Sequence, residues 1–158
     1  MAPALVYVFE NNIRITGDVL YTLPRLIDIN AKSSILRQSS KILIASRCLE
    51  IERPQILEEY RRKGYVILTA CPEVEHVNML GFKLAGILAR GSYEEISVLT
   101  VDGSMHCTQL HWMVEEVFKI TRASCSRRHF AVHKGEVVEI DQNTVKKSRF
   151  LSWVSKHQ

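Results

Sequence analysis

A three-layer α/β domain is the fold this chain predicts, and three features predict it. Short, continuously apolar and β-branched runs recur at Lys41 to Ser46 (KILIAS), Tyr65 to Ala70 (YVILTA) and Ile96 to Val101 (ISVLTV). Amphipathic stretches separate them, which is the pattern of parallel strands buried on both faces by crossover helices. The chain of 158 residues, 46% hydrophobic, is long enough to bury one core of that kind. The expected class is a Rossmann-like domain with a mainly parallel sheet and peripheral β-hairpins.

Each element has its own signal. Ala4 to Phe9 and Ile13 to Thr16 around Asn11-Asn12 read as a hairpin, because Asn accepts the left-handed conformation of a tight turn. Asp18 to about Arg37 reads as a helix capped by Asp18 and interrupted at Pro24. After KILIAS, a helix from about Arg53 to Lys63 has Pro54 in its first turn and Gly64 beyond its end. The helix from about Glu73 to Ala89 places Val74, Val77, Gly81, Leu84 and Leu88 on one stripe. A helix from about His106 to Ile120 turns Leu110, Met113, Val114, Val117 and Phe118 inward. A second hairpin follows about Lys134-Gly135, and a closing helix runs from about Gln142 to Trp153. The whole of 1–158 thus reads as a single α/β domain, with hairpins in 1–17 and 129–140.

Charge and apolar patterning narrow the function classes. Lys plus Arg exceed Asp plus Glu by only 21 to 17, and the two basic clusters, Arg61-Arg62-Lys63 and Arg127-Arg128, fall where helices and loops end. No basic stripe interleaves with aromatics, so nucleic acid is not an expected partner. No apolar run approaches the roughly 20 residues of a membrane span, and the N-terminus lacks the charged region of a signal peptide. A cytoplasmic protein that does not engage a membrane is expected, and in a reducing compartment its four cysteines suggest ligands, reactive thiols or core packing before disulfides.

Three of those cysteines follow successive strands. Cys48 lies two residues past KILIAS, Cys71 directly follows YVILTA, and Cys107 opens the helix after ISVLTV. In a parallel sheet these positions share the C-terminal edge, where ligands bind. Converging thiolates suit a soft metal, whether an iron–sulfur cluster or zinc, with Cys48, Cys71, Cys107 and His106 as candidate ligands. A fourth position would be left open for substrate or held by His106 or His111, or by Cys125 from a partner. Cys125, in the loop before the following strand, belongs to the opposite edge. A second chemistry is thiol catalysis on a small anionic substrate, with Cys107 at a helix N-terminus and His106 or His111 as its base. A third possibility is an α/β interaction or structural protein in which cysteines simply pack.

Neighbouring polar groups bear on the same edge. Asp102-Gly103-Ser104 between strand and helix suits an anion-binding turn or, equally, an ordinary turn and helix cap. Arg47 beside Cys48 is placed to face an anionic ligand or the negative charge of a cluster. Glu73 and Glu75 suit the first turn of a helix as well as acid–base work. His76 carries little signal, His129 and His133 read as structural or exposed, and Met79, Met105 and Met113 as core filling. No Walker lysine, no GxGxxG and no Cys-x5-Arg loop is present.

The run LTVDGSMHCTQLHWMVEEVFKI, with the downstream RRHFAVHKGEVVEI, resembles small proteins of anaerobic archaea and bacteria that carry ferredoxin-like or iron–sulfur labels. The likeness extends from about Lys41 to the end. It implies that Cys48, Cys71 and Cys107 hold a cluster in an α/β setting. Separately, a small anionic ligand or a redox partner protein is the expected partner. The chain departs from ferredoxins in lacking their C-x2-C-x2-C-x3-C-P run.

Overall fold

The apolar runs become the centre of a sheet. The computed structural model describes residues 21–157, together with the backbone of 6–9 and 12–15. Strands β1 (Val6–Phe9) and β2 (Asn12–Ile15) form a two-stranded antiparallel hairpin in which Phe9 pairs with Asn12. Asn12 is therefore in the strand, and Asn11 lies outside the described residues. The main sheet contains β3 (Lys41–Ser46), β4 (Val66–Ala70), β5 (Glu95–Val101), β6 (Ser126–His133) and β7 (Glu136–Ile140), in the order β4-β3-β5-β6-β7. Its first four strands are parallel, and β7 returns antiparallel to β6. Lys134 and Gly135 close that hairpin with positive φ.

The strands bury both faces, so their side chains divide between two cores. Ile42, Ile44, Leu68, Ala70, Ile96 and Val98 pack with α3 (Val77–Leu88) and α4 (Met105–Thr121). Leu43, Ala45, Ile67, Leu99, Phe130 and Val132 pack instead with α1 (Leu49–Glu52) and α2 (Pro54–Arg62). Helices on both faces of a mostly parallel sheet make the three-layer architecture that the alternation of the sequence predicts. The path steps from β3 outward to β4, then reverses across β3 to β5. With right-handed crossovers, that reversal puts the β3–β4 and β4–β5 helices on opposite faces and opens a crevice at the C-terminal ends of β3 and β5.

Three elements depart from the expected helices. The residues described between Tyr21 and Gln38 are not one helix; they contain turns and a single 3-10 turn at Ser34–Arg37, while Asp18 lies outside the described residues. The cause is non-local: Leu26 N donates to Thr69 O at 2.8 Å and Thr69 N to Pro24 O at 2.9 Å. This segment therefore caps the outer edge of β4, which would otherwise present unpaired backbone groups. The third helix starts at Val77, not Glu73, because Cys71 to Glu75 forms a turn and His76 is the N-cap, its Nδ1 accepting from Asn78 N. Val74 is accordingly exposed, as are Met79 and Met105, whereas Met113 is buried as expected. The closing helix divides into α5 (Gln142–Lys147) and α6 (Leu151–Lys156).

Candidate functional site at the cysteine edge

The chain ends of β4, β3 and β5 are neighbours in the sheet, and each leads into one cysteine. Arg47 N donates to Ala70 O at 3.1 Å, so the residues immediately before Cys48 and Cys71 are tied together. Cys107 enters from above: its Sγ lies 3.0 Å from the Ser46 Oγ at the end of β3, and both residues are buried. Cys48 is exposed and Cys71 half-buried, and all four cysteines are free thiols. Although Cys48 is exposed, partial desolvation by the atoms around its thiol raises it above its ordinary value, and the negative charges that Cys107 and Cys71 would carry raise it further. Among the described residues, no group of three or more His, Cys, Asp or Glu side chains is already arranged to hold a metal ion.

The turn from β5 into α4 is built as its sequence requires. Gly103 has φ of 83°, a conformation disfavoured for side chains. Ser104 is the N-cap, its Oγ accepting from Cys107 N at 3.3 Å. Asp102 is engaged elsewhere: its N donates to Val132 O, and its carboxylate lies 2.8 Å from the His133 Nδ1 at the end of β6. Asp102 and Ser104 thus serve as turn and cap residues, and Gly103 gives the sharp corner.

One acidic residue holds the Cys71 loop. Buried Glu75 accepts from Arg25 and, through Oε2, from Cys71 N at 2.7 Å, fixing the turn that presents Cys71. Glu73, on the same turn, approaches His106 Nδ1 at 4.0 Å, so His106 leans from α4 toward the Cys71 loop. Arg47 stacks on Tyr21 with its guanidinium carbon 4.3 Å from the ring centre, and its buried Nε has no partner among the described residues. Cys125 stands at the opposite edge, half-buried against the α3/α4 core, where burial raises its thiol.

His111 does not serve Cys107. One of its ring nitrogens meets Thr100 Oγ1 at 2.8 Å and the other meets His129 Nδ1 at 2.9 Å. His129 Nε2 continues to Glu115 Oε1 at 2.9 Å, which also accepts from Arg127 Nε at 2.7 Å. Of the two alternatives for His129, structural or exposed, it takes the structural one and is fully buried, but the line of polar groups beneath α4 was missed in the sequence. Its signal lay in two coincident spacings: Cys107, His111 and Glu115 four apart on one helix face, and Arg127 and His129 alternating on one strand face. Burial, then His129, pushes His111 down to about 4. Burial also lowers His129, against the opposing pull of Glu115. Burial would raise Glu115, but hydrogen bonds from Arg127 and His129 outweigh it and hold the carboxylate below its ordinary value.

The fold, its switch point and the cysteine-lined edge define a Rossmann-like α/β protein. The sequence matches the family described as Rossmann-like domain over residues 33–157, and the chain belongs to that family. No curated protein and no solved structure matches it. Among the described residues, no helix is long and apolar enough to cross a membrane.

Proposed function

We propose that the C-terminal edge of the sheet binds a soft metal centre, an iron–sulfur cluster or zinc, through Cys48, Cys71 and Cys107. The supporting observation is the tethering of all three to adjoining points of one crevice, through the Cys107 Sγ to Ser46 Oγ contact and the Arg47 N to Ala70 O bond. The donor chemistry fits: mutually repelling thiolates are relieved by a shared cation, and soft sulfur selects zinc or iron–sulfur clusters. The orphaned Arg47 Nε supplies a cation for the negative charge that three thiolates bring. Assembly requires side-chain movement, because among the described residues the free thiols do not form a ready cage. His106, whose Nδ1 lies 4.0 Å from Glu73 on the Cys71 turn, is the available fourth donor. A bound cluster would supply one-electron redox chemistry and zinc a closed or Lewis-acidic site. A redox partner protein or a small anionic ligand at Arg47 belongs to the same proposal. The thiol-enzyme reading gains less support, because both ring nitrogens of His111 are occupied and Cys107 is buried.

The test is iron, sulfide and zinc analysis of protein purified and reconstituted without oxygen. Stoichiometric metal is expected in the wild type and in Cys125→Ala, and severe loss in Cys48→Ala, Cys71→Ala and Cys107→Ala. Metal-free wild type after reconstitution, or equal loss in Cys125→Ala, would overturn the proposal.

A further inference from the structure

The buried line under α4 allows very few arrangements of its protons. Glu115 accepts from Arg127 and is held ionised, so the His129 Nε2 that faces it must donate. The two Nδ1 atoms, 2.9 Å apart, need one hydrogen between them. When both rings are neutral, His129 has its hydrogen on Nε2, so its Nδ1 accepts and His111 Nδ1 donates. His111 Nε2 is then bare and accepts from the Thr100 hydroxyl. The polarity runs one way, from Thr100 through His111 and His129 to Glu115.

One further proton can be accommodated without moving a heavy atom. It binds the lone pair of His111 Nε2, while the hydrogen on His111 Nδ1 passes to His129 Nδ1. His111 ends neutral with its hydrogen on Nε2, now donating to Thr100 Oγ1, whose own hydroxyl hydrogen rotates away from the ring. His129 ends as an imidazolium between that ring and the Glu115 carboxylate. A second added proton would set two N–H groups face to face across 2.9 Å, which the geometry forbids. Glu115 is the anion facing the pair and Arg127 the cation beyond it; burial and the His129 charge both disfavour an imidazolium on His111, whereas Glu115 favours one on His129.

We propose that Thr100, His111, His129 and Glu115 form a buried one-proton relay, which takes a proton in at the Thr100 end and stores it on His129. The entrance lies beside the cysteine edge: Ala45 pairs with Leu99, which makes Ser46, the partner of the Cys107 thiol, next in register to Thr100. A thiol that becomes a metal ligand must lose a proton, and storing that proton is the use this placement suggests. That use rests on the metal reading, whereas the relay itself does not.

Nitrogen-15 NMR of histidine-labelled, metal-free protein through an acid titration tests it. Near neutral pH, His111 is expected as the Nδ1–H tautomer and His129 as the Nε2–H tautomer. On acidification the pair is expected to take up one proton, with His129 becoming an imidazolium and His111 switching to Nε2–H at the same midpoint. Glu115→Gln should weaken that uptake by roughly tenfold or more while leaving the neutral tautomers in place. Independent titration of the two rings, uptake of two protons, unfolding before any uptake, or an unchanged midpoint in Glu115→Gln would overturn the relay. Failure of metal binding would leave this titration as expected, so the two proposals fail separately.

Discussion

Gly103 shows what a single residue contributes to the edge. A Cβ at this position would meet nothing within 4 Å, so the obstacle to a side chain is the φ of 83° alone. Gly103→Val is expected to cost about 1–3 kcal/mol from backbone strain, measured by urea unfolding. An unchanged midpoint would show that the corner relaxes freely. The cysteines differ in access. As a nucleophile at a helix N-terminus Cys107 would be the fastest of the four thiols, but it is buried against Ser46, whereas Cys48 is exposed although its thiol is raised. In metal-free protein Cys48 should label with iodoacetamide before Cys107, read by peptide mass spectrometry. Faster labelling of Cys107 would revive the thiol-enzyme reading. Which residues flank the strands was legible because strand ends are local features. That His111 turns to β6 was not, because it depends on which strand lies under α4.

At the scale of elements, long-range pairing decides what local pattern cannot. Tyr21 to Gln38 has a helical pattern of apolar residues, yet Pro24 and Leu26 spend their backbone groups on Thr69 of β4. Local propensity contains no information about an edge strand waiting for a partner. The turn at Cys71 to Glu75 is similar: its carboxylate is buried by contacts with Arg25, fifty residues away. Glu75→Ala should cost on the order of 1.5–3 kcal/mol, since it removes charged hydrogen bonds and strands the Cys71 N–H. It should also weaken metal retention by loosening the Cys71 loop. Loss of stability with full retention would detach the turn from the site. Beneath α4, the two imidazoles make the helix's attachment pH-dependent. Both have lowered values in the fold, so from the ordinary value of about 6.5 downward the unfolded chain binds more protons. Stability is complete above that pH and falls as pH drops below it, because the folded pair takes up protons less readily than the unfolded chain. Urea midpoints across this range should decline, and a flat profile would contradict the buried neutral pair.

For the molecule as a whole, the layer order was readable because continuous apolar strands demand cover on both faces. The order β4-β3-β5-β6-β7 was not, since which strand neighbours which depends on the direction of each crossover rather than on any residue pattern. That order matters for the proposed function: it makes neighbours of the strands whose connections carry Cys48, Cys71 and Cys107. The central claim is that one centre is shared by these three sulfurs. X-ray absorption at the metal edge of protein loaded without oxygen tests it most directly. The account predicts a shell dominated by sulfur: three thiolates about 2.3 Å from a zinc ion, or, for a cluster, sulfide plus one protein thiolate on each of three irons, with severe loss of bound metal in Cys48→Ala, Cys71→Ala and Cys107→Ala. A shell of nitrogen and oxygen alone, or metal content indifferent to those substitutions, would contradict it.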